Sequence, residues 1–118
     1  MIIADTSVWI DHLRKGNARL EDQLNKGRVA CHPLIVGELA CGQMKNRKEI
    51  LSLLQDLPSC ARADDEDVLP FIETHKLMGK GLGYIDVHLL MSARLMSYRL
   101  WTFDKKLHDA ARKILPAN

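Results

Sequence analysis

The N-terminal run Met1–Ala4 is short, apolar and isoleucine-rich, and it stops on Asp5. That pattern marks a buried strand ending at a polar edge. Behind it, Val8, Ile10 and Leu13 are the apolar positions of a helix that Thr6 or Ser7 caps and Gly16 stops. The spacing next predicts a helix over Ala18–Lys26, closed by Gly27, and a second short strand, Val29–His32. Pro33 suits the first turn of an apolar helix, PLIVGELACG, ending near Gly42. Ile50, Leu53, Leu54 and Leu57 place a helix over Arg47–Leu57, with Pro58 behind it. Ser59–Ala63 reads as a weak third strand. Helical spacing returns at Val68, Phe71, Ile72 and Leu77, stops in MGKGLG, and resumes from Tyr84 to about Ser97. Arg99–Phe103 is a strand ended by Asp104, and Leu107, Ala110, Ala111 and Ile114 define a last helix.

Strands thus alternate with helices, which predicts an α/β fold: a mostly parallel sheet with helices on both faces. The 118 residues make one domain, and a 47% hydrophobic composition is enough for a real core. No apolar stretch approaches the ~20 residues of a membrane span, and the first run is too short for a signal peptide, so a cytoplasmic protein is expected. Cys31, Cys41 and Cys60 are an odd set without a close pair, which suits buried thiols better than disulfides or a zinc site. A net charge of +2 does not by itself mark a nucleic-acid binder.

Candidate chemistry comes from the acids. Two strands end alike, IIAD at Asp5 and LWTFD at Asp104, and strand C-terminal ends share one edge of a parallel sheet, where ligands bind. Glu38 sits among apolar residues in PLIVGELACG, and Asp86 lies in the first turn of the helix in GYIDVHLLMSA. Four converging carboxylates repel one another, and a hard divalent cation such as Mg²⁺ or Mn²⁺ relieves that repulsion. Each acid also has a plainer role: Asp5 and Asp104 as helix N-caps, Asp86 as a partner of the helix dipole, Glu38 as a carboxylate with one buried partner. His12 and His88 read as packing or solvent-facing residues, Trp101 as core, and Trp9 as core or a dimer interface. The acids at 64–67 read as a solvated helix start.

The stretches IIADTSVWID, IVGELACG, GLGYIDVHLLMSA and LWTFDKKL, in this order and across nearly the whole chain, resemble a PIN domain. More narrowly, they resemble a VapC-type toxin of bacterial toxin–antitoxin pairs. The resemblance implies a three-layer α/β/α domain over residues 1–118 and a Mg²⁺- or Mn²⁺-dependent endoribonuclease. Its catalytic, metal-binding acids fall on Asp5, Glu38, Asp86 and Asp104. Thr6 matches a small hydroxyl residue beside the first acid, and Thr102 stands where a hydroxyl often supports the site. Phe103 departs from the Arg or other polar residue that relatives often carry. The resemblance further implies an RNA substrate, a homodimer, and a cognate antitoxin whose C-terminal segment lies across the active-site groove.

Two rivals remain. Phosphoryl transfer through Asp5 wants a second Asp two residues on, where this chain has Ser7. A non-catalytic module would use the acidic pocket only to dock a basic peptide.

Overall fold

A computed structural model describes residues 1–116 and 118. Its centre is a three-stranded parallel sheet in the order β2–β1–β3, formed by β1 (Ile2–Ala4), β2 (Val29–Ala30) and β3 (Arg99–Trp101). Ile3 pairs with Ala30 on one side and Leu100 on the other. All three strands therefore deliver their C-terminal ends to one edge.

Among the described residues seven α-helices cover the sheet: α1 (Thr6–Lys15), α2 (Ala18–Asn25), α3 (Pro33–Ala40), α4 (Arg47–Asp56), α5 (Val68–His75), α6 (Tyr84–Met96) and α7 (Lys105–Ile114). The architecture is a three-layer α/β/α fold around a parallel sheet. Helix α7 buries Leu107, Ala110, Ala111 and Ile114, the single stripe its sequence spacing predicts. Helix α6 buries every residue from Val87 to Ala93 and is packed on all sides.

Several expectations change. The first helix is capped by Asp5 rather than Thr6 or Ser7, because Asp5 accepts the Val8 N–H at 3.2 Å. Ser59–Ala63 forms no strand; it contributes one parallel bridge, Cys31 to Ser59. Trp101 is only half-buried, since β3 lies at the edge of the sheet, and Arg19 packs over its ring at 4.8 Å. Cys31 and Cys60 are buried, but Cys41 is exposed.

Helices α3 and α6 are tied by a buried pair that sequence spacing does not reveal. His32, fully buried, caps α3 by accepting the Leu34 N–H at Nδ1, 3.0 Å away. With Nδ1 an acceptor, Nε2 carries the proton and meets Ser92 Oγ of α6 at 2.9 Å. Burial first, then the nearby His88 and Arg62 charges, push the His32 pKa down to about 4. Unfolded His32 titrates near 6.5 and so binds its proton more readily than the folded form. Stability is fully present above about pH 6.5 and falls as the pH drops towards 4. A shift of this size corresponds to roughly 3 kcal/mol. Urea midpoints measured from pH 7 to 4 should therefore fall more steeply for the wild type than for His32→Asn, whose neutral amide still caps the helix. Parallel curves would remove this role for His32.

Candidate active site

Asp5 follows the central strand directly, and its N–H continues the ladder to the Trp101 carbonyl at 3.0 Å. Its carboxylate is only 6% exposed. Thr102 Oγ1 donates to Oδ2 at 2.5 Å and Ser7 Oγ donates to Oδ1 at 2.5 Å, beside the Val8 N–H. Each hydroxyl is itself positioned from behind. The Asp104 N–H donates to Thr102 Oγ1 at 2.9 Å, and the Phe103 N–H donates to Ser7 Oγ at 3.0 Å. Every partner of the Asp5 carboxylate is a donor, so both of its oxygens act as acceptors.

The other acids come from three further elements. Asp104 caps α7, with Oδ1 accepting from the N–H groups of Lys106 and Leu107 at 2.8 and 3.2 Å. Asp86 stands in the first turn of α6 and accepts the Gly83 N–H at 2.9 Å. Glu38, exposed on α3, accepts a hydrogen bond from Thr6. The plainer capping roles therefore hold for Asp5 and Asp104, and each leaves lone pairs free at the sheet edge.

The loop before α6 closes onto α7. Gly81 lies against the end of the Lys106 side chain, and its φ of +74° is a conformation that favours glycine. This packing brings the start of α6 to the start of α7, and Asp86 to Asp104. The Asp86 pKa is raised, by burial first; the Gly83 N–H opposes this, and the charges of Asp104, Asp5 and Glu38 add to it. All four sequence-predicted acids thus lie within electrostatic reach of one another. Among the described residues, no three His, Cys, Asp or Glu side chains close into a finished metal cage. An all-carboxylate, open donor set fits a hard cation that keeps much of its water shell.

Around this edge, a groove of about 780 Å³ runs from Thr6 and Glu38 along α1 and α3, with Arg14 and Lys45 on its walls. Two other arginines serve the fold: Arg47 donates to the Ala40 carbonyl and Arg94 to that of Ile114. His88 is fully buried on α6, away from the acids, with Nε2 3.1 Å from Asp65 Oδ1. Asp65 also accepts from the Tyr84 hydroxyl at 3.2 Å, so this member of the acidic run does more than face solvent. Sequence reasoning missed Ser7 as the second hydroxyl on Asp5; its position two residues after an N-cap acid was the available signal.

This edge, with carboxylates at the ends of two parallel strands, defines an α/β protein of the PIN class. Residues 2–113 match the PIN domain family, and the chain belongs to it. It is 44% identical over 111 residues to ribonuclease VapC32 of Mycobacterium tuberculosis, covering 93% of this chain and 90% of that one. It is 28% identical over 109 residues to ribonuclease VapC1 of Methanocaldococcus jannaschii, covering 89% and 76%. The crystal structure of PAE2754 from Pyrobaculum aerophilum shares the fold, with a TM-score of 0.67 at 14% identity over 94% of this chain and 84% of that one.

A raised Asp86 pKa means that the fold binds this proton more tightly than the unfolded chain does. Its contribution to stability is therefore lost as pH rises above the ordinary Asp range. In chelator at pH 7, Asp86→Asn should unfold at a higher urea concentration than the wild type, and the gap should close near pH 4. A variant less stable at pH 7 would show that burial and the neighbouring carboxylates together do not outweigh the hydrogen bond from the Gly83 N–H.

Proposed function

We propose that this protein is a Mg²⁺- or Mn²⁺-dependent endoribonuclease, the toxin of a type II toxin–antitoxin pair. The observation that carries this reading is the gathering of Asp5, Glu38, Asp86 and Asp104 at one sheet edge, where Asp86 feels the other three charges. The 44% identity to a VapC ribonuclease supports RNA as the substrate.

A divalent cation held there supplies the positive charge that offsets carboxylate repulsion and stabilises charge on the phosphodiester during hydrolysis. Asp5, Asp86 and Asp104 would hold it directly or through water. Glu38 would hold it or orient the attacking water. Thr102 and Ser7 fix both oxygens of Asp5, and Thr6 fixes Glu38, so the acids keep their positions before substrate arrives. Arg14 and Lys45, on the groove beside Glu38, would take phosphates of the bound strand. A cognate antitoxin laid along the same groove would silence the site by placing an Arg or Lys among the carboxylates. A homodimer is the proposed assembly. Among the described residues no helix is long and apolar enough to cross a membrane.

The test is cleavage of a mixed small-RNA pool with Mg²⁺, with Mn²⁺ and with chelator. Cutting should require metal. Asp5→Asn, Asp86→Asn and Asp104→Asn should each reduce it by on the order of 100-fold or more while remaining folded, because Asn still caps a helix. Chelator-resistant cutting, or full activity in these variants, would overturn the proposal. A folded protein that cuts nothing yet binds basic peptides through these acids would favour a docking module.

A further inference from the structure

Phe103 is 55% exposed. Scattered apolar side chains on helix surfaces, such as Leu53 and Leu69, need no special account. Phe103 differs from them in being built in. Its N–H is fixed by Ser7, which donates to Asp5. Its neighbours in the chain are Thr102, which also donates to Asp5, and Asp104, which caps α7. Its ring is backed by Trp101, edge to face, with centroids 5.9 Å apart and planes at 83°. Trp101 in turn carries the Arg19 guanidinium over its own ring. The segment that carries Thr102 and Asp104 therefore also carries a pre-positioned aromatic pair, open on one ring and with positive charge nearby.

Unpaired bases stack on such rings, whereas bases inside a paired helix have no free face to offer. We propose that Phe103, steadied by Trp101, is the stacking platform for an unpaired nucleobase flanking the scissile phosphate. The inference rests on the ribonuclease reading and assigns this one side chain a part in holding the substrate. Because every base has a π-face, the contact is tolerant of sequence.

Once the mixed small-RNA pool has given a cut site, a short single strand spanning it serves as substrate for the wild type, Phe103→Ala, Phe103→Tyr and Phe103→Trp. Phe103→Ala should raise KM about 5- to 100-fold, with little change in kcat, and Tyr or Trp should restore it. An abasic nucleotide beside the cut should raise the wild-type KM similarly and erase the difference between wild type and Phe103→Ala. The platform alone is overturned if the wild type cuts with metal and Phe103→Ala matches its KM. It is also overturned if the Ala defect persists on abasic strands at each flanking position, or if Phe103→Ala dissociates a dimer. A wild type without metal-dependent cutting instead removes the ribonuclease reading, and the platform with it.

Discussion

The fold depends on one buried carboxylate. Asp5 ends the central strand, starts the first helix and receives Thr102 from 97 positions further on, so β1, α1 and the segment after β3 meet at a single side chain. An unpaired charge at that depth would cost several kcal/mol. Two hydroxyls and a backbone N–H meet the charge instead, and two further backbone N–H groups hold those hydroxyls. The same constraint sets the chemistry, because donors that only share a negative charge leave it available to an incoming cation.

Structural and functional duties are not alternatives at this site. Asp5 and Asp104 are helix caps, and Asp86 closes the turn that begins α6, yet each uses only part of its carboxylate in doing so. Glu38 is the exception. It caps nothing, sits exposed on α3 and is restrained by the Thr6 hydroxyl. The site therefore combines three acids fixed by backbone geometry with one on a longer side chain that can adjust.

Much of this was legible in the chain because strand ends and helix starts leave local marks. IIAD and LWTFD announce where two parallel strands stop, and the apolar setting of Glu38 and the helix start at Asp86 stand out without any tertiary information. The misreadings have a common origin in contacts between distant residues. Asp-Thr-Ser offers three N-caps in a row, and only the register of β1 selects Asp5. Trp101 looks like core until β3 proves to be an edge strand. The His32–Ser92 pair spans 60 positions, so no local pattern signals it. It matters nonetheless, because it joins the helix carrying Glu38 to the helix carrying Asp86.

The Thr102–Asp5 hydrogen bond joins residues 97 positions apart. On a ribosome the first half of this contact is made 97 residues before the second. The central strand emerges early but has neither its β3 neighbour nor the second hydroxyl on Asp5 until translation has passed residue 102. Contacts of such long sequence separation form late in folding as well. The carboxylate edge therefore cannot assemble before residue 102 has been made, and a cell making this protein is exposed to the completed site only after that point.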